Sequence, residues 1–452
     1  MCGFVLVWPF QKLPDLYNNL VSIETKSFSK RLCGVVLLPT LLAFSIPGTV
    51  AARQLSIAAA GAVGDGATLN TAAIQKAIDS LATNGGGTLV IPKGEFLSGA
   101  IFLKPGVNLR LDPGAVLKGS TNIADYPELM TRIEGHFEVW IPALVNASNV
   151  DHLRITGEGT IAGGGKPFWD EFWQARMTNR LVTNLAVKRP RNIFIEDSKD
   201  VQVSGISLRE SGFWNLHLFR CKDVLVKNVD IRTPLRSPST DGIDVDACQK
   251  VAIKGCYISV DDDNIGLKGN KGTSAMDDKT IPPVEHIRIS GCTFGLGNST
   301  LTLGSEGTVV RDVVIEDCRL TGTNKNCVLK LKLRPDTEQH YENITARNIK
   351  VQNPNAQLVS IQGWTQFFDL QGKPAPGQWV TNVTLMNITG TLHDFGRVEG
   401  PAKSTVSNLV FKNINIVLKN PAVVTRNVQN LKFTNVKIDG VAYTGDSGTA
   451  TK

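Results

Sequence analysis

From residue 152 onward, short segments alternate apolar and polar residues in a recurring frame. They read HLRITGEGTI from 152, DVQVSGISL from 200, DVLVKNVDI from 223, KVAIKGCYI from 250, HIRISGCTF from 286 and DVVIEDCRL from 312. Further copies read NITARNIKV from 343, NVTLMNITG from 382, NLVFKNINI from 408 and NLKFTNVKI from 430. Apolar residues at every second place predict a strand with one buried face. An Asn, Gly or Asp then turns the chain into another short strand. From 200 onward the segments start roughly 22 to 39 residues apart, which fits one basic unit with occasional inserted loops. Such a unit cannot bury its apolar face alone, but stacked copies build a continuous core. The pattern therefore predicts an all-β solenoid, a single-stranded parallel β-helix. Hairpin signals, which a sandwich or propeller would need, are largely missing.

The recurring Asn228, Asn348, Asn387, Asn413 and Asn435 are expected to form a side-chain ladder along one row of turns. A solenoid needs its end covered. The stretch LNTAAIQKAIDSLATNGGG from 69 supplies the one clear helix, capped by Asn70 or Thr71 and ended by Gly85 to Gly87. Its stripe of Ala73, Ile74, Ala77, Ile78 and Leu81 suits an N-terminal capping helix. The expected organisation is an N-terminal extension with signal peptide over 1–52, one β-helix domain over 53–440, and a C-terminal tail over 441–452.

Composition changes this picture little. The chain has 452 residues, a formal charge of +7 and 7% aromatic residues. Its basic residues are scattered rather than gathered into arms, so nucleic acid is not the expected partner. Lys26, Lys30 and Arg31 precede LCGVVLLPTLLAFSIPG and then TVAAR, which reads as an export signal. That apolar run carries two prolines and is short for a membrane span. An exported, periplasmic or extracellular protein without stable membrane insertion, and a monomer, is the expectation. Cys256, Cys292 and Cys318 fall at one position of three similar segments, so reduced thiols stacked in the core are expected rather than a redox or zinc site.

Stacking converts sequence distance into proximity, because neighbouring coils lie ~4.8 Å apart. Asp241, in STDGIDVD, stands about one coil before Asp262 and Asp263 of ISVDDDNIGLKG. Asn298, in GLGNSTLTLGSE, follows a coil later, and Lys330 and Lys332, in VLKLKLRPD, a coil after that. Lys268 ends the aspartate segment. His217, with Asn215 in SGFWNLHLF, lies one coil before Asp241. Crowded carboxylates raise one another's pKa, which keeps one acid protonated for a leaving oxygen while others activate water. Lysines on the same face would hold an anionic sugar. The insertion NKGTSAMDDKTIPPVE from 270 is placed to wall off one end of a cleft and favour attack on chain ends.

At these residues the chain resembles glycoside hydrolase family 28, the polygalacturonase and rhamnogalacturonan hydrolase family. The motifs run from GAVGDGATLNTAAIQKAI through GEGTIAGGGKPFW, STDGIDVD, ISVDDDNIGLKG and TLTLGSE to LKLKLRPDT. The resemblance implies a right-handed β-helix and an inverting hydrolase with no metal and no organic cofactor. It implies Asp262 as general acid, with Asp241 and Asp263 activating water. Asn298, Lys330, Lys332, Lys268 and His217 are the expected substrate-binding residues, and an acidic plant-type polysaccharide or oligosaccharide is the expected partner. Asn298 stands where the family has a histidine, Lys330 where it has an arginine, and Ser239 where it has an asparagine. Two alternatives stay open from the residues: a β-helical pectate-type lyase, and a non-catalytic carbohydrate-binding β-helix.

Overall fold

Each coil places its strands directly over those of the coil before. In one sheet the inward residues Val251, Ile287, Val313, Ile344, Val383 and Leu409 stand in direct register, strand upon parallel strand. All of them are buried. The alternation read from the sequence is thus one face of a continuous aliphatic stack, and burial of that stack is the main favourable term in folding. Three such sheets, joined by turns, form a right-handed parallel β-helix. The computed structural model describes residues 53–445. The expected signal peptide and the last residues of the expected tail lie outside the described residues.

The sheet that matters for chemistry runs through Leu216–Phe219, Ile243–Asp246, Ile265–Lys268, Leu301–Leu303, Asn326–Leu333 and Ala356–Gly363. We call it the site sheet. Its inward row, Leu218, Val245, Leu267, Leu303, Leu331 and Ile361, points into the core, and its outward row reads His217, Asp244, Gly266, Thr302, Lys330 and Ser360.

The turns carry the strain of the coil. Asn343, Asn382, Asn408 and Asn430 form one hydrogen-bonded row of side chains, at 2.9, 3.2 and 3.0 Å. Asn348, Asn387, Asn413 and Asn435 form a second, at 2.9, 3.1 and 2.9 Å. All eight adopt positive φ, a conformation asparagine tolerates better than most residues. The six cysteines of the domain are buried and unpaired, as stacked thiols should be.

Helix α1 (Thr71–Thr83) buries Ile74, Ala77, Ile78 and Leu81 over the first coils. Asn70 precedes it but does not cap it. Its side chain instead accepts from Val63 N at 2.7 Å and donates to Val63 O and Thr68 O, closing the loop before the helix. A second helix, α2 (Lys166–Thr178), was not expected. It begins with Lys166 and Pro167 after three glycines and buries Phe168, Trp169 and Phe172. An unexpected hairpin pairs Leu129–Ile133 with His136–Trp140 across Glu134 and Gly135, both at positive φ, as a two-residue hairpin turn requires. At the far end, Val441–Tyr443 folds back antiparallel on Gln429–Ile438, so these residues close the last coil instead of starting a tail.

The Asn413→Ala variant is expected to lose about 1–3 kcal/mol of stability, from two ladder bonds and the positive φ. Asn413→Gly should lose less, because glycine accepts that backbone. Calorimetric unfolding of the two variants checks this, and equal losses would contradict a backbone contribution.

Candidate active site

The outward rows of the site sheet and the turns that feed it enclose a cleft of about 350 Å³. Asp241, Asp262, Asp263, Lys268, Asn298, Lys330 and Lys332 all line it. Asp241 and the Asp262–Asp263 pair sit in successive turns just before their site-sheet strands, so stacking brings them together. One carboxylate oxygen from each lies within 4.8 Å of the other two.

Two buried lysines make this crowding possible. Lys332 Nζ donates to Asp263 Oδ2 at 2.7 Å, and Ser299 Oγ donates to the other oxygen at 2.8 Å. Burial alone would raise the Asp263 carboxyl, but Lys332, Lys330 and Lys268 outweigh it and hold it well below the usual carboxylate range. Lys268 Nζ lies 3.2 Å from Asp241, 3.4 Å from Asp244 and 3.6 Å from Glu306, over the Trp214 ring at 4.6 Å. Burial pulls its ammonium down, but these three carboxylates keep it charged far above neutral pH. Close enough together to ligate a cation, the three aspartates already have Lys268 and Lys332 in that neutralising position.

The two sides of the cluster differ. Burial pushes the Asp241 carboxyl well up, against the pull of Lys268, and the charges on Asp244, Asp262 and Asp263 add to the rise. Asp262 is more exposed than Asp241 and Asp263, and Asn298 Nδ2 donates to its Oδ1 at 3.0 Å. Lys330 Nζ donates to the main-chain oxygen of Asn298 at 3.2 Å. Asp262 is therefore the carboxyl of the trio that projects into the cleft.

One expected residue is elsewhere. His217 does not reach the cleft: it is completely buried, against Phe194 and Trp214. Its Nδ1 accepts from Arg191 at 2.8 Å, so the proton lies on Nε2, 3.3 Å from Asp246. Burial holds this imidazole neutral, its pKa lowered to about 3. Asp246 also takes both arms of buried Arg132, at 2.9 and 3.2 Å. His217 thus helps lock the hairpin to the site sheet and does not line the cleft.

Several residues in and behind the cleft escaped the sequence. Asp244 is fully buried, and neither of its oxygens makes a hydrogen bond. Burial, opposed by Lys268, raises it to about 7. Gly266 beside it in the sheet makes room: a Cβ there would lie 2.5 Å from Asp244 Oδ1 and 2.9 Å from Lys268 Cε. Outward aspartates alternating with Ile243 and Val245 were the available signal. Glu306, at the end of TLTLGSE, gave none beyond its motif. Arg189 is buried between Phe172 and Phe213 and donates to Ser239 Oγ at 3.2 Å, which fixes the turn before Asp241. The walls come from Glu134 at the hairpin tip, Trp173 and Arg176 of α2, and Trp364. The insertion from 270 does not line the cleft. It braces the hairpin through Asn270 to Arg132 at 2.8 Å, and the 364–377 loop through Ser274 to Lys373 at 3.0 Å.

The buried Asp244 has a stability cost that depends on pH. Its raised pKa means the folded state holds a proton that the unfolded state releases, so stability falls as pH rises from about 4 through about 7. Asp244→Asn is expected to be more heat-stable than the parent at pH 8 and to lose that advantage near pH 4. Tm measured across this range checks it; a constant difference would contradict it.

With the geometry in place, comparison with known proteins gives one consistent answer. Residues 83–438 match Glycosyl hydrolases family 28. An exopolygalacturonase of Zea mays is 30% identical over 346 residues, covering 73% of this chain and 75% of the maize protein. A probable polygalacturonase of Vitis vinifera is 31% identical over 295 residues, 62% of this chain, and the match spans 57% of that relative's length. The crystal structure of a hyperthermoactive exopolygalacturonase from Thermotoga maritima shares the fold, with a TM-score of 0.71, 22% identity, and coverage of 86% of this chain and 93% of that one. The chain belongs to glycosyl hydrolases family 28.

Proposed function

We propose that the protein is an exported glycoside hydrolase that removes uronosyl units from the ends of pectic polysaccharide or its oligomers. The observation that carries this is the trio of aspartates within 4.8 Å, set in a cleft with Lys330 and Lys332. The exopolygalacturonase names of relatives favour polygalacturonan over rhamnogalacturonan.

Asp262, projecting into the cleft, donates its proton to the leaving oxygen. Asp263, held ionised by Lys332, takes the proton of the attacking water. The resemblance pairs Asp241 with Asp263 in water activation, but burial favours a protonated Asp241. Asp241 therefore acts as a proton store beside the acid, within reach of Asp262. Lys268 and Lys332 do not suit the base of a lyase, since their carboxylates hold them in the ammonium form. Attack on chain ends follows from the walls: the hairpin is clamped by the Arg132–Asp246 pair, and the insertion braces it from behind.

Stereochemistry admits a second course. Inverting glycosidases usually hold their carboxyls ~6.5–9.5 Å apart, and retaining ones ~5–5.5 Å. The short span here favours retention through a covalent intermediate, whereas the family resemblance implies inversion. We take inversion, with the water lying alongside the trio rather than between two facing carboxyls.

Proton NMR of a polygalacturonate digest tests both levels. Wild type is expected to release saturated monouronate of inverted anomeric configuration from the start, and Asp262→Asn to lower kcat by ~10²–10⁴. Early release of mixed oligomers would overturn end attack, retained configuration would overturn inversion, and an unsaturated product would overturn hydrolysis.

A further inference from the structure

Glu306 lines the cleft, yet the reaction scheme above leaves it unused. It follows the strand Leu301–Leu303, and its main-chain oxygen accepts from Gly269 N at 3.1 Å. That bond sets it beside Lys268 of the preceding coil. Its side chain is buried, and Ser305 Oγ donates to Oε1 at 2.8 Å. Oε2 faces Lys268 Nζ at 3.6 Å, while the same ammonium lies 3.2 Å from Asp241 and 3.4 Å from Asp244. Burial would raise the Glu306 carboxyl, but Lys268 and Lys271 outweigh it and hold it well below the usual carboxylate range. Among the three carboxyls round Lys268, Glu306 is therefore the lasting anion, whereas Asp241 and Asp244 take up protons.

Two segments outside the site sheet converge on this side chain. A Cβ on Gly135, at the hairpin tip, would lie 2.9 Å from Glu306 Cγ, so the hairpin seats bare backbone against it. Lys271, at the start of the insertion, lies 3.4 Å from Glu134 of the same tip and acts on Glu306 as well. The remaining ionisable neighbours are Asp262, Asp263 and Arg189 at Asp241, Tyr341 at Glu306 and Arg191 at Asp244.

We propose that Glu306 is a positioning residue for the reaction: it holds a share of the Lys268 ammonium, so that Asp241 faces a cation already committed elsewhere. The inference rests on the reading of the trio as a hydrolase site. With Glu306 in place, Asp241 keeps its proton and serves as the store beside Asp262. Without it, Lys268 turns its charge on Asp241 and favours the carboxylate. The store then empties at a lower pH. Lys271 works in the opposite sense, because it competes with Lys268 for Glu306.

Three variants of the full-length protein test this. Glu306→Gln keeps the shape and removes the charge, Glu306→Asp keeps the charge, and Lys271→Gln removes the competing cation. Carbon-13 NMR titration of the Asp241 carboxyl reads the effect without turnover, and the pH profile of kcat/KM on polygalacturonate reads it in the reaction. In Glu306→Gln the Asp241 midpoint and the alkaline limb of the profile are expected to fall together by roughly one pH unit. Glu306→Asp should recover most of that fall, and Lys271→Gln should move both upward. An unmoved Asp241 midpoint in folded Glu306→Gln would overturn the proposal. So would a lowered kcat with an unmoved profile, which is what a merely structural residue gives. Where Glu306→Gln does not fold, Lys271→Gln decides alone: a raised midpoint supports the proposal and an unmoved one overturns it. The titration decides even if the protein cuts no pectic substrate, so failure of the hydrolase reading stays distinct.

Discussion

In-register stacking of parallel strands is the constraint on which everything else depends. Residues dozens of positions apart are forced within a strand spacing of one another, and like falls upon like. For Val251, Ile287 and Val313 the result is a dry core. For asparagines at the turns it is two rows of amide bonds. For Asp241, Asp262 and Asp263 it is repulsion, since the same geometry that stacks aliphatic groups also stacks negative charges.

The fold resolves that repulsion with lysines from neighbouring coils. Lys332 reaches back to Asp263, and Lys268 is shared by Asp241, Asp244 and Glu306. The resolution is incomplete, because four buried carboxylates face two buried ammonium groups. The remainder appears as the raised pKa of Asp241 and Asp244. A site that must keep one acid protonated and another ionised needs such an imbalance. Unpaired buried charge is costly to a fold in general, and here the cost lies next to the proposed acid.

The repeating core was legible because its signal is local: period-two alternation and an asparagine at a fixed offset are visible in a single segment. The gathering of aspartates with Lys268, Asn298, Lys330 and Lys332 followed from stacking alone. Three things were not legible, each because it depends on contacts between distant segments. His217 shares an outward row with Asp244, but whether that row meets solvent depends on the hairpin that covers it. The hairpin itself was announced only by Glu134 and Gly135, a weak two-residue signal. Helix α2 was obscured by the glycines and proline at its start, although Phe168, Trp169 and Phe172 mark its buried side. Asp244 shows in the sequence only as an alternation with Ile243 and Val245, while its burial depends on Gly266 a coil away.

The central claim is that stacking splits the carboxyls of this cleft into one group that keeps its proton near neutrality and one that never takes it up in the usual range. The measurement that tests it most directly is a carbon-13 NMR titration of the aspartate side-chain carboxyls, with Asp263→Asn and Asp241→Asn used for assignment. We expect the Asp241 signal to titrate well above the usual carboxylate range and the Asp263 signal to remain that of a carboxylate down to the acid limit of folding. If both titrated together between pH 3 and 5, the lysines would not be dividing the charge, and the account would fail.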